Sequence, residues 1–216
     1  MATLKKLNIT GKELAGVEVD DALLEPAAHL QSIKDYIVAL RRNARQWSAS
    51  TKTRAEINRT GRKPHPQKGQ GRSRQGDLAA PHYKGGGIVF GPRPKFDQHV
   101  RINKKERRAA IRHLIIEKIK DNQVAVLAKH EMKAPKTKTL AEFFKGKENR
   151  RVLVLGESRD VSESMELPNE NLVKSLRNLP KKEYSSVPQV NGYMLAVTQE
   201  IVVLESALDE FLAMLG

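Results

Sequence analysis

The chain has 216 residues, with 39 Lys and Arg against 25 Asp and Glu, a formal charge of +14, and no cysteine. That length fits one medium domain or two small ones, and the missing cysteine excludes a disulfide framework or a thiolate metal site. So large an excess of cations points to a nucleic acid or another anionic surface as partner.

The start, Met1 to Thr10, has no apolar stretch of signal-peptide length. No apolar run approaches the roughly 18–20 residues of a membrane span, so a cytoplasmic protein with no membrane partner is expected. Residues 1–20 alternate weakly through Leu4, Leu7 and Ile9, then Leu14, Val17 and Val19. With Gly11 and Gly16 as punctuation, they predict a small hairpin at the edge of the fold. Pro26 to Arg45 reads as a helix, with Leu30, Ile33, Ile37 and Leu40 as its apolar stripe. Its last turn is cationic (Arg41, Arg42, Arg45), the sign the helix dipole favours there.

From Arg41 to Lys95 the chain changes character. This stretch holds fourteen of the 39 bases but only two acids, Glu56 and Asp77, so it carries +12 and the rest of the chain +2. Between Ser48 and Gly87 the large apolar side chains are Ile57, Leu78 and Tyr83, and nothing recurs at helical or strand period. Eight of the 14 glycines and five of the 10 prolines lie in the same stretch. A segment with so little to bury does not offset its own ordering entropy, about 1–2 kcal/mol per residue. It is expected to stay mobile until a polyanion orders it.

The stretch ends at Ile88-Val89-Phe90-Gly91-Pro92-Arg93-Pro94, where apolar residues and extended prolines are read as the return to the body. Residues 46–94 therefore form a long loop inserted after the first helix, within one globular domain made of 1–45 and 95–216. Two legs of about 20 residues would reach at most roughly 65 Å at about 3.3 Å per residue. A loop of that length inside a compact domain is normally its functional part.

Beyond it the patterning is regular. Asn103 is placed to cap a helix to about Lys120 that buries Ile111, Leu114, Ile115 and Ile119. Val124–Ala128 and Val152–Leu155 are short buried strands, with a helix from Thr137 to Phe144 between them. Pro168–Leu179 reads as helix, Tyr184–Val187 as a weak strand and Asn191–Val197 as a helical turn. Ile201–Leu204 is a strong strand, and Ser206 caps a final helix to Leu215. Continuous apolar strands alternating with helices predict an α/β fold: a mainly parallel central sheet covered by helices on both faces.

No catalytic constellation accompanies that fold. There is no phosphate-binding GxxxxGK[ST], and the glycines at 69, 71 and 76 neither match GxGxxG nor follow a strand. His130-Glu131 begins no zinc-binding HExxH, because position 134 is Ala, and Gly156-Glu-Ser158 lacks the second glycine of a nucleophile elbow. The six histidines (29, 65, 82, 99, 113 and 130) are scattered. No metal, cofactor or enzymatic activity is expected.

The basic segment has positive content. Its candidate RNA-binding side chains are Arg41, Arg42, Arg45, Lys52, Arg54, Arg59, Arg62, Lys63, Lys68, Arg72, Arg74, Lys84, Arg93 and Lys95. Arginine offers phosphate a planar donor fork, and the interleaved glycines let backbone approach closely. His65, Tyr83, Arg62, Arg72 and Arg74 are candidates to stack on unpaired bases. Trp47 is either a stacking residue or a hydrophobic peg at the loop root, and Gly85-Gly86-Gly87 either a hinge or a tight passage beside RNA. RNA is favoured over DNA because this stretch forms neither a helix nor a ribbon for a major groove, whereas irregular backbone can thread a folded RNA.

The run Gly61-Arg62-Lys63-Pro64, Gln67-Lys68-Gly69-Gln70-Gly71-Arg72-Ser73-Arg74 and Gly85-Gly86-Gly87-Ile88-Val89-Phe90-Gly91-Pro92-Arg93-Pro94 resembles the bacterial family of large-subunit ribosomal protein four. Arg54-Ala55-Glu56, Asn103-Lys104-Lys105 and Ala134-Pro135-Lys136-Thr137-Lys138 extend the likeness along the chain. The resemblance implies a structural constituent of the large subunit, with a role in its assembly and with ribosomal RNA and other subunit proteins as partners. It implies that the loop threads inward to the nascent-peptide exit tunnel, with His65, Gln67, Lys68, Gly69, Gln70, Gly71 and Arg72 as its tip near the constriction. Changes at the tip go with an altered macrolide response in that family. Some members also repress translation by binding their own messenger leader. An RNA-binding repressor acting off the ribosome is one alternative reading, and an RNA-acting enzyme with a basic substrate clamp is another.

Overall fold

The computed structural model describes residues 2–25, 28–94, 99–129, 132, 134–158 and 169–216. It divides into two compact units, one made of 1–41 and 101–216 and the other of 42–100.

The first unit is built on a six-stranded sheet. In chain order the strands are β1 (Ala2–Leu7), β2 (Glu13–Val19), β3 (Val124–Leu127), β4 (Val152–Gly156), β5 (Lys182–Ser186) and β6 (Glu200–Leu204). Their order across the sheet is β2-β1-β3-β6-β4-β5, parallel throughout except for the β1–β2 hairpin. The helices are α1 (Leu30–Asn43), α2 (Lys104–Lys120), α3 (Thr137–Phe143), α4 (Glu170–Arg177), α5 (Gly192–Val197) and α6 (Leu208–Ala213).

All five residues of β4 are buried, as are four of the five in β6. Neighbouring strand residues point to opposite faces, so both faces of the central sheet are covered. This is the α/β class that the continuous apolar runs predicted. The N-terminal hairpin does occupy an edge, and β2 is largely exposed there. Glu13 and Glu18 give that open edge the charge that discourages a further strand from pairing.

Several details differ from the sequence reading. In α1 the buried side chains are Ile33, Tyr36 and Ala39, whereas Leu30 is 75% exposed. Leu30 sits on the first helical turn, before the helix meets the core, and Tyr36 takes the central place in the stripe. Its ring fills the space above Gly192, where a Cβ would lie 2.6 Å from the ring, and its hydroxyl accepts from the Gly192 N–H at 3.4 Å. In α2, Ala110 and Ile116 join Leu114, Ile115 and Ile119 in the core, while Ile111 is only partly buried. Asn103 precedes α2 without capping it through its side chain; its amide faces the Glu106 carboxylate instead. At the C-terminal end Ser206 is not a cap, because Glu205–Ala207 forms a 3-10 turn that runs directly into α6. Asn191 is a cap: its side chain accepts the Met194 N–H at 2.8 Å. Pro26 and Pro168, expected to open two helices, lie outside the described residues.

Candidate nucleic-acid interface

The path into the basic segment is continuous helix. α1 is fixed by Ile33, Tyr36 and Ala39, and its last turn carries Arg41 and Arg42, both exposed. No helix or strand follows among the described residues from 44 to 94. A framework of single hydrogen bonds takes their place. The Thr51 N–H donates to Pro92 O at 2.9 Å, Ile88 N–H to Lys52 O at 3.0 Å, and Gly87 N–H to Ala79 O at 2.9 Å. Asn43 closes the base by pairing its amide with both backbone groups of Val100 (2.9 and 3.1 Å).

The two acids of the segment are spent on this framework. Glu56 accepts from the Arg93 guanidinium at 2.6 Å and from the Thr53 N–H at 3.0 Å. The hydrogen bond from Arg93, and then that from Thr53, hold the Glu56 carboxyl below the ordinary glutamate range. Asp77 accepts the N–H of Ala79 at 2.9 Å. Arg59 acts from the cationic side, donating to the carbonyl oxygens of Leu78 and Lys84.

The segment expected to stay mobile until a polyanion orders it carries cross-links at its root, made by polar bonds that hydrophobic periodicity does not register. Ile88, Val89 and Phe90 are not an apolar return into a core: they are 50, 57 and 103% exposed.

All thirteen described candidates are exposed at the surface: Arg41, Arg42, Arg45, Lys52, Arg54, Arg59, Arg62, Lys63, Lys68, Arg72, Arg74, Lys84 and Arg93. Lys95 lies outside the described residues. Arg59 and Arg93 are committed to the framework, whereas the other eleven form no salt bridge among the described residues. Beyond the root, the chain from 61 to 76 is tied by a contact of His65 Nε2 with Ser73 O at 2.9 Å and by Lys63 donating to Gln67. Gly69 and Gly71 turn the backbone between these ties at φ of +89° and +61°, a conformation glycine adopts without strain. Gln67, Lys68, Gln70 and Arg72 are exposed around that turn, and His65 is half-buried. Tyr83 is half-buried against His82 (ring centroids 4.5 Å apart), and Trp47 is 37% exposed.

A further basic run falls outside the candidate set. Arg101, Lys104, Lys105, Arg107 and Arg108 lead into and open α2, and all are exposed. The signal was present as four bases in five positions around Glu106, but it lies outside the long insertion on which the charge excess is concentrated.

The body presents a cavity of about 670 Å³ lined by Tyr36, Leu40, Arg107, Arg108, Arg112 and Asn191 among others. Its lining includes no Asp, Glu or His, so it holds no acid–base pair. Among the described residues no three His, Asp or Glu gather as a metal site would need, and no helix is long and apolar enough to cross a membrane.

A six-stranded α/β unit and an exposed cationic insertion without regular structure define the class: an α/β protein whose chain carries an irregular basic segment. The family model for the ribosomal protein L4/L1 family matches residues 17–213. The chain belongs to that family. It is 34% identical to the large ribosomal subunit protein uL4 of Lachnospira eligens over 97% of both chains. The uL4 of Clostridium beijerinckii is 33% identical over the same shares, and that of Mesoplasma florum 31% over 91% of this chain and 94% of its own.

Proposed function

We propose that this protein is a structural constituent of the large ribosomal subunit in the cytoplasm and that it binds the subunit's ribosomal RNA through residues 46–94. One globular body, 1–45 and 95–216, holds the base of that segment. The segment threads RNA, and its tip from His65 to Arg72 lines the nascent-peptide exit tunnel near its constriction. The chain has no reaction of its own; it acts in assembly and by holding RNA and neighbouring subunit proteins in place.

The observation that carries this reading is the separation of charge. Both acids of the segment bond inward, while eleven described cations are exposed with no anionic partner among the described residues. A surface of that kind is complete only against a polyanion. If it engages about 10 phosphates, log K should fall with log salt at a slope of roughly −7 to −9.

The test is sedimentation of the tagged protein from cells. It should travel with the large subunit and resist a high-salt wash, and recovery in ribosome-free fractions alone would overturn the reading. Particles carrying a deletion of 62–76 should retain the protein, bound more weakly, and show an altered macrolide response. An unchanged drug response would remove the tunnel assignment and leave RNA binding standing.

A further inference from the structure

We propose that Phe90 is a nucleobase-stacking platform, the point at which the basic segment grips an unpaired nucleotide. This rests on the RNA-binding reading above and assigns a side chain that neither charge nor the family comparison singles out.

Three independent features meet at Phe90. Its ring is fully exposed, at 103%, and Ile88 and Val89 beside it are half exposed. Its backbone has φ of +52°, a left-handed conformation in which a bulky aromatic residue is strained. The arch that carries it is also clamped at both feet. Ile88 N–H bonds to Lys52 O at 3.0 Å, and Thr51 bonds to Pro92 O through its N–H at 2.9 Å and its hydroxyl at 3.2 Å. The clamp leaves no space for side chains at its glycines. A Cβ on Gly91 would lie 2.1 Å from Thr51 Oγ1, and one on Gly87 2.1 Å from Arg54 N.

The chain therefore holds a large apolar ring in water, on a strained backbone, with no gain from burial within itself. Strain and exposure at one place are offset by a bound partner. The surroundings say which partner: Lys52, Arg54 and Lys84 stand exposed in the same segment, which contains just two acids, both bonded inward. A polyanion with a flat apolar face meets both requirements, and an unpaired nucleobase has that face while its backbone supplies the phosphates. A perfect duplex does not, because its bases are already stacked on one another. The aromatic residues that the sequence favoured for stacking are less available: Tyr83 is half-buried against His82, and His65 is tied to Ser73 O.

The test uses the full chain with two RNAs, a hairpin with an unpaired loop and the same sequence closed into a full duplex. Phe90→Ala should weaken hairpin binding about tenfold, within the range that base–aromatic stacking supplies, and leave duplex binding unchanged. The slope of log K against log salt should not move, because no phosphate contact is lost. Phe90→Leu, apolar but without a ring, should bind as poorly as Phe90→Ala. Phe90→Trp should restore binding, and in a Trp47→Phe background its fluorescence should be quenched by the hairpin. Equal hairpin binding by wild type and Phe90→Ala overturns the proposal. So does restoration by Phe90→Leu, which would mark an apolar contact with protein. Failure of the wild type to bind either RNA is a different result, and overturns the RNA-binding reading itself.

Discussion

Arg93 and Glu56 stand 37 positions apart in sequence and 2.6 Å apart in space, the one salt bridge within the basic segment among the described residues. Glu56 also accepts the Thr53 N–H, so a single carboxylate ties the outgoing leg to the returning one. Because these bonds depress the carboxyl's pKa in the folded state, the order they supply is present above the ordinary glutamate value. It is lost as pH falls through the depressed one. The protection of the Thr53 and Ile88 amides, taken relative to their intrinsic exchange rates at each pH, should accordingly hold from neutral pH down to about 5 and fall below the usual range near 4.3. Glu56→Gln should abolish that pH dependence by leaving both amides weakly protected at every pH. Identical exchange profiles for the two proteins would show that the pair does not hold the root.

Arg59 and Arg72 are both exposed arginines of this segment, yet they should respond differently to lysine. Arg59 donates from two guanidinium nitrogens to Leu78 O and Lys84 O, a span that one ammonium group does not cover. Arg72 makes no such bond among the described residues and, on the function proposed above, would act as a charge. Arg59→Lys is expected to speed amide exchange at Gly87 and Ile88 and to weaken RNA binding with little change in salt slope. Arg72→Lys should do neither, whereas Arg72→Gln should flatten the slope of log K against log salt by about 0.7–0.9. A salt slope that falls equally in Arg59→Gln and Arg72→Gln would make Arg59 another phosphate ligand.

The contrast between these arginines marks what the sequence could and could not say. Strands β3, β4 and β6 were legible as unbroken apolar runs, and a run buried on both faces has few alternatives. Where sequence reasoning failed, the deciding contact was polar and distant: Glu56 with Arg93, Arg59 with Leu78 O, Asn43 with Val100. Period carries no trace of such pairs. Phe90 escapes for the opposite reason, since an apolar triplet beside prolines reads as a return to the body, whereas in the structure its side chain is fully exposed. Leu30 was drawn into the α1 stripe by its spacing although the core begins one turn later.

The turn from Lys147 to Arg150 offers a stability test within the body. Beneath it Lys182, 7% exposed, donates to Lys147 O at 2.8 Å and Arg150 O at 2.7 Å, with its ammonium 5.2 Å from the Phe144 ring centre. Burial lowers the pKa of Lys182. Beside the turn, Glu200 accepts from the side chains of Lys147 and Arg150. Burial alone would raise the Glu200 carboxyl, but these two hydrogen bonds outweigh it and hold it below the ordinary range. Glu200→Gln should cost about 1–3 kcal/mol at neutral pH, the worth of hydrogen bonds to a charged group. The deficit should shrink in acid, because the wild type loses the same contribution as pH falls through the depressed value. Denaturant titrations at pH 7 and pH 3 would measure both, and a deficit equal at the two would mean that packing, not charge, is what the substitution damages.

Glycine substitutions separate the conformation of the basic segment from its charge. At Gly87 an added Cβ would lie 2.1 Å from Arg54 N and 2.6 Å from Arg54 Cα, backbone atoms that cannot rotate aside. Relieving that clash means parting the two legs at the Ile88–Lys52 bond. At Gly69 a Cβ would meet nothing within 4 Å, and the sole objection is φ of +89°, a local cost of about 1–2 kcal/mol. Gly87→Ala should therefore free the amides of Thr51 and Ile88 to exchange and lower RNA affinity severalfold, although it alters no charge and leaves the melting of the body as it was. Gly69→Ala should leave root protection intact and perturb contacts at the 65–72 turn alone. If the two variants bind RNA with equal affinity and equal root protection, the framework has no part in presenting the cations, and charge content by itself accounts for binding.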